Sequence, residues 1–204
     1  SEMCIRDSAN AQIRKAISLA CDRTVFAQSA YNGYATAATS PFNPQASIAQ
    51  NVKIFSSEAD SITAKQALNQ SMIDSKKLKI NILVNKNNNR IACATLLKNQ
   101  LEAIGFTVTI DEEGTKEYTR RVKNTEFNLY IGEVKLSDDM CLYPFFDDKS
   151  GGVRYGIDNE NLTCDDLYSA YLAGECDLGK FILAFNEEMP YIPLVYKKGM
   201  ICYT

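Results

Sequence analysis

The stretch LKINILVNKNNNRIACATLLKNQLEAIGFTVTI, residues 78–110, changes its hydrophobic period twice. Its first part alternates apolar and polar positions, as a β-strand does, with apolar residues at Leu78, Ile80, Ile82 and Val84. Its middle part has the helical spacing of three or four, at Ile91, Ala94, Leu97, Leu101 and Ile104. Its last part alternates again, at Phe106, Val108 and Ile110. A strand, a helix and a strand within about thirty residues form a βαβ unit, which predicts an α/β lobe built on a mainly parallel sheet flanked by helices.

The ends of the central helix also have typical signals. Asn87 or Asn88 can cap its N-terminus through the side-chain oxygen, and Gly105 stands where a helix ends in a left-handed residue. We expect one face of this helix to be buried against the two strands. The residues expected in that contact are Ile91, Leu97 and Leu101 on the helix, and Ile80, Ile82 and Val108 on the strands.

The same periods predict the other elements. Helices are expected over residues 9–20, 23–30, 62–72, 115–123, 162–172 and 178–188, with Asp22 as the N-cap of the second. A strand is expected over residues 127–131, and a final extended segment over residues 191–203. Residues 34–44 are expected to form an irregular loop, and residues 147–158 a surface loop.

The composition argues against several classes of protein. The net charge of -3 gives no basic surface for a nucleic acid, and no apolar run is long enough to span a membrane. The chain has no histidine, the usual acid–base group and the commonest metal ligand, so catalysis and a metal cofactor are not expected. Its cysteines form no C-x-x-C pair, which argues against zinc and leaves open only a bridge between Cys164 and Cys176.

The first eight residues, SEMCIRDS, resemble the translated end of a transposase adapter used in sequencing libraries. We expect residues 1–8 to be an adapter scar and to stand outside the fold. On that expectation the natural N-terminus is missing, and with it any export signal or lipid-anchor cysteine.

Four segments together resemble a known family. They are RKAISLACDR at residues 14–23, QLEAIGFTV at 100–108, FNLYIG at 127–132 and EMPYIPLVY at 188–196. Their order and spacing are similar to those of extracellular solute-binding proteins of the peptide/nickel class, the capture subunits of ABC importers. The resemblance covers about residues 9–203.

This resemblance implies a periplasmic-binding-protein-like fold, in which two α/β lobes joined by a hinge close on a solute. Residues 9–204 would be most of the second lobe, with the first lobe absent and the C-terminal end truncated. The protein would capture a peptide-like or other polar solute outside the cytoplasm, without a cofactor, and deliver it to permease subunits. It would lie in the periplasm or at the outer face of the cell membrane, and touch the membrane only through a missing anchor or the permease. Arg14, Asp22 and Arg23 would form a helix cap and interlobe ion pairs.

One departure from the family concerns the solute. Peptide-binding members commonly have a W-x-x-D motif after the strand that corresponds to residues 127–131, and its aspartate holds the free amine of the peptide. This chain has no tryptophan, and Leu136 stands where that aspartate would fall. Amine recognition would therefore need another carboxylate, and Glu133, Asp138 and Asp139 are the nearest in sequence.

Candidate ligand contacts follow from the position of residues 133–146, which leave a strand at its carboxyl end, where ligands bind in open α/β sheets. Charged side chains and one aromatic ring in this segment and the loop after it are the candidates. They are Glu133, Lys135, Asp138, Asp139, Arg154 and Tyr155.

Two alternatives to a transport protein remain at this point. An enzyme on a flavodoxin-like or Rossmann-like sheet would want a glycine-rich phosphate loop after the first strand of the βαβ unit, but residues 85–89 are NKNNN. A regulatory sensor built on the same lobe cannot be separated from a transport protein by sequence.

Overall fold

The computed structural model describes residues 2–5, 11–71, 78–146 and 163–198. Its strands are β1 (Glu2–Ile5), β2 (Ala35–Ala37), β3 (Lys79–Asn85), β4 (Thr107–Glu113), β5 (Leu129–Gly132), β6 (Tyr191–Pro193) and β7 (Val195–Lys197). Its helices are α1 (Ala11–Ala20), α2 (Arg23–Val25), α3 (Ser61–Gln70), α4 (Asn88–Ala103), α5 (Thr115–Lys123), α6 (Tyr143–Phe146), α7 (Thr163–Leu172) and α8 (Leu178–Glu188). The predicted loop over 147–158 lies outside the described residues.

The predicted βαβ unit is confirmed as β3, α4 and β4. The two strands pair in parallel, with Ile80 opposite Val108. The side-chain oxygen of Asn87 accepts a hydrogen bond from the backbone N–H of Arg90 at 3.2 Å, which caps α4. Gly105 follows the helix with φ +113°, a value that favours glycine.

The main sheet has five strands in the order β4-β3-β5-β1-β6. β3 pairs in parallel with β4 and β5, whereas β1 pairs antiparallel with β5 and β6. Four strands therefore run in one direction, and the prediction of a mainly parallel sheet is confirmed. Residues Glu2–Ile5 lie in the predicted adapter scar, yet they form β1. A β ladder is made by backbone groups, so the expectation that this segment stands outside the fold was wrong.

Side chains on the two faces of the sheet enter two separate cores. Ile82 packs with Leu97 and Leu101 of α4, and all three are fully buried, as predicted, whereas Ile80 and Ile91 pack against this core but are only half-buried. Leu83, next to Ile82 in β3, points to the opposite face and packs in an aromatic-rich core under α6, α7 and α8. Phe145 and Tyr191 stack in that second core, with ring centroids 4.5 Å apart.

Two connections differ from their prediction in detail. Helix α2 continues as a π turn over Phe26–Ala30, and the carboxylate of Asp22 caps it by accepting from the N–H of Val25 at 3.0 Å. The loop predicted over residues 34–44 contains β2, which pairs antiparallel with β7. This pairing joins segments about 160 residues apart, so local periodicity does not reveal it.

The described residues contain no helix long and apolar enough to cross a bilayer. Cys164 and Cys176 are free thiols, so the bridge that their spacing left open is not formed.

Candidate ligand site

A cavity of about 330 Å³ lies where β5 ends. One wall is the segment that follows β5, and the other is formed by β6, β7 and one residue of the β2–α3 connection. The lining residues are Asn43, Glu133, Val134, Lys135, Leu136, Met140, Pro193, Val195, Tyr196 and Lys197. The cavity therefore lies at the carboxyl end of the strand after which the sequence predicts ligand contacts.

The end of β5 is held by aromatic packing. The ring of Tyr130 lies edge-on to Phe127, with centroids 4.9 Å apart, and to Tyr118, at 6.1 Å. The hydroxyl of Tyr118 donates a hydrogen bond to the carbonyl of Ile131 at 2.8 Å. A Cβ at Gly132 would stand 2.6 Å from the Tyr130 ring, so glycine permits this packing. The backbone that leads into the cavity wall is therefore fixed.

Glu133 is the charged centre of the site. Its carboxylate lies 3.3 Å from the guanidinium of Arg90 on α4 and 2.5 Å from the ammonium of Lys197 on β7. Partial burial raises the pKa of Glu133, but the Lys197 hydrogen bond and the charges of Lys197 and Arg90 outweigh burial and hold the pKa below its ordinary value. Glu133 is thus an ionised carboxylate already paired with two cations.

Lys135 and Leu136 line the same wall. Lys135 is exposed, and within the described ranges no carboxylate lies within 4 Å of its ammonium. Leu136 is half-buried, and its side chain has no polar atom. The side chain at this position therefore offers no hydrogen-bond acceptor to a solute.

The other predicted contacts lie elsewhere. Asp138 and Asp139 are exposed and are not among the residues that line the cavity. The carboxylate of Asp139 accepts from the hydroxyl of Ser137 at 2.5 Å and from the N–H of Cys141 at 3.2 Å. The Ser137 hydrogen bond, and secondarily that of Cys141, lowers the pKa of Asp139. Asp139 therefore stabilises the turn, while Arg154 and Tyr155 lie outside the described residues.

The second wall was missed by sequence reasoning. Pro193, Val195 and Lys197 stand at every second position and all line the cavity. The hydroxyl of Tyr196 donates to the carbonyl of Ser40 at 3.3 Å and ties this wall to the β2–α3 connection. The alternation was visible in the sequence, but β1 and β2, the strands that pair with β6 and β7, are distant in the chain.

Arg23 supports the second wall from behind. It is 1% exposed, and its Nε–H donates to the carbonyl of Pro193 at 2.9 Å. Its Nη1 donates to the carbonyls of Ser18 and Ser56, each at 3.1 Å, and its guanidinium lies 4.9 Å from the Phe55 ring centroid. Burial lowers the pKa of Arg23. The expectation of an interlobe ion pair was wrong for Arg23, because the side chain is buried and its hydrogen bonds are made within this chain.

Arg14 also makes a hydrogen bond within the chain. Its Nε–H donates to the backbone carbonyl of Glu188 at 2.8 Å and links α1 to the end of α8. The side chain of Glu188 accepts from the N–H groups of Thr163 and Cys164 at the start of α7, at 2.9 and 2.8 Å. These contacts are architectural and lie outside the cavity lining.

A protein-family model matches most of the chain. The model of bacterial extracellular solute-binding proteins, family 5 middle region, matches residues 7–152. This range includes β3, α4, β4, β5 and the first wall of the cavity. No curated protein sequence gives a significant match.

Solved structures match almost the whole chain at low identity. The oligopeptide-binding protein AppA of Bacillus subtilis, in complex with a nonapeptide, matches 96% of the chain with a TM-score of 0.75 and 17% identity. NikA of Staphylococcus aureus, in complex with Ni(L-His)2, matches 96% with a TM-score of 0.77 and 19% identity. The periplasmic oligopeptide-binding protein of Thermotoga maritima, bound to mannohexaose, matches 97% with a TM-score of 0.74 and 16% identity. The chain spans 44% of the length of each, and the likeness shows a shared fold.

Proposed function

Since the chain belongs to the bacterial extracellular solute-binding proteins of family 5, we propose that it is the second lobe of the substrate-binding component of an ABC importer. The complete protein captures a peptide-like or other polar solute outside the cytoplasm and delivers it to permease subunits. It works in the periplasm or as a lipid-anchored protein at the outer face of the cell membrane.

The observation that carries this proposal is the cavity at the end of β5. It combines apolar surface from Leu136 and Val195 with the charged groups of Glu133, Lys135 and Lys197. Apolar surface combined with a small number of placed polar groups is typical of sites for small molecules. The family and the matched structures are binding proteins, which favours a solute binder over an enzyme on a flavodoxin-like sheet.

The nature of the solute has to be argued from the site itself. The three matched proteins are bound to a peptide, a nickel complex and an oligosaccharide. One fold therefore carries solutes of very different chemistry, and fold likeness alone does not select among them.

A test of the site fills the cavity in the full-length protein, which also carries the first lobe. Leu136→Trp places a large ring in the cavity wall, whereas Leu183→Trp places the same ring on α8, where Leu183 is 68% exposed and outside the cavity lining. Binding of a peptide library is measured by isothermal titration calorimetry. We expect Leu136→Trp to weaken binding by about tenfold or more and Leu183→Trp to leave it unchanged. Equal affinity of the two variants would contradict a solute site at this cavity.

A further inference from the structure

We propose that the solute is a peptide-like molecule with an acidic group, and that this group binds between Lys135 and Lys197. The inference rests on the proposed function and adds the class of solute. It follows from the balance of hydrogen-bond donors and acceptors on the cavity walls.

The carboxylate of Glu133 in the cavity lining is already paired with two cations. Glu133 lies 3.3 Å from Arg90 and 2.5 Å from Lys197, so its two oxygens each face a cation. A ligand ammonium would have to compete with both for this carboxylate. The described residues place no other carboxylate in the cavity lining.

The donors, in contrast, outnumber the acceptors. Lys135 has no carboxylate within 4 Å among the residues that the structure describes. Lys197 carries three N–H donors, of which Glu133 requires one. The side-chain oxygen of Asn43 accepts from the N–H of Gln45 at 3.1 Å, which leaves its amide N–H groups for the cavity. Two ammonium groups and one side-chain amide are thus available to donate hydrogen bonds to a bound solute.

The charges point the same way. The lining contains Lys135 and Lys197 against the single carboxylate of Glu133, and Arg90 adds a further positive charge behind Glu133. A ligand carboxylate would accept charge-assisted hydrogen bonds from the lysines and offset this surplus. A ligand ammonium would add to the surplus and find no acceptor at Leu136.

The inference is tested with the full-length protein and three pools of C-terminally amidated tetrapeptides. Each pool has one position fixed, as Glu in the first pool, Gln in the second and Lys in the third, and the other three positions are random with the same composition in every pool. The set is repeated with the fixed residue at each of the four positions. Isothermal titration calorimetry measures each pool against the wild type, Lys135→Gln and Lys180→Gln. Lys180 is an exposed lysine of α8 outside the cavity lining and serves as the matched control.

We expect the Glu pool to bind the wild type about tenfold more tightly than the Gln pool, and the Lys pool to bind least. Lys135→Gln should remove most of the difference between the Glu and Gln pools, and Lys180→Gln should preserve it. Equal binding of the three pools, or a Glu preference that survives Lys135→Gln, would overturn the inference and leave the proposed function standing. Binding of none of the pools would overturn the inference but not the proposed function, which allows polar solutes other than peptides.

Discussion

The carboxylate of Glu133, which follows β5, lies 2.5 Å from the ammonium of Lys197 on β7, so this ion pair joins the two walls of the cavity. Because the Glu133 pKa is held below its ordinary value of 4.5, folding favours the ionised form. Its contribution to stability is therefore complete above the ordinary pKa and lost as pH falls through the folded-state pKa.

A pH series on Glu133→Gln tests this relationship. At pH 7 we expect the variant to lose about 0.5–1 kcal/mol of unfolding free energy, since both partners keep some contact with water. The difference from the wild type should shrink as the pH falls below the ordinary Glu pKa. Urea melts at several pH values give the measurement, with Glu102→Gln on the exposed face of α4 as the control. A difference that grows on acidification would show that the sign assigned to the pKa shift is wrong.

The packing of α4 makes a second prediction. Leu97 is 0% exposed, and Leu97→Ala should cost about 2–5 kcal/mol of unfolding free energy, the range for emptying a buried leucine site. Leu183→Ala on α8 removes the same atoms from a side chain that is 68% exposed and should change stability by about 0.5 kcal/mol or less. Comparable losses in a denaturant melt would contradict the placement of α4 on the sheet.

Arg23 gives a third prediction. Arg23→Met keeps much of the side-chain volume but removes the donors for the carbonyls of Pro193, Ser18 and Ser56. Buried carbonyls without a donor are costly, so we expect a loss of about 3 kcal/mol or more. Arg120→Met, at an exposed ion pair on α5, is the control and should have a small effect. Equal losses of unfolding free energy for the two variants in urea would mean that Arg23 does not stabilise the second wall of the cavity.

The local part of the fold was predictable, and the reason is visible in residues 78–110. The strand period of Ile80 and Ile82, the helical period of Leu97 and Leu101 and the break at Gly105 all act within one short segment. Their signals agree, so β3, α4 and β4 could be predicted without knowledge of distant contacts.

The parts that could not be predicted depend on pairing between distant segments. The ladders of β1 with β5 and of β2 with β7 are made by backbone groups, which carry no side-chain signature. The same applies to the site: Glu133 and Lys135 follow a strand whose end could be located, whereas Lys197 reaches Glu133 from β7, which pairs with β2 in a separate two-stranded sheet.

A fourth prediction concerns the amino group of a peptide solute. Leu136 cannot accept a hydrogen bond from an ammonium, so the free amine should contribute little at this position. We expect free and N-acetylated versions of the same peptides to bind the full-length protein with similar affinity in calorimetry. A loss of more than about 2 kcal/mol on acetylation would show that another residue recognises the amine.

The most direct test of the closing two-lobe site compares the 204-residue chain with the full-length protein that carries the first lobe. Both are titrated with the same solute in an isothermal titration calorimeter, after circular dichroism has shown that the chain is folded. Because a closing site encloses its solute with both lobes, we expect the chain alone to bind at least about a hundredfold more weakly. Equal affinities of the folded chain and the full-length protein would contradict the closing two-lobe site.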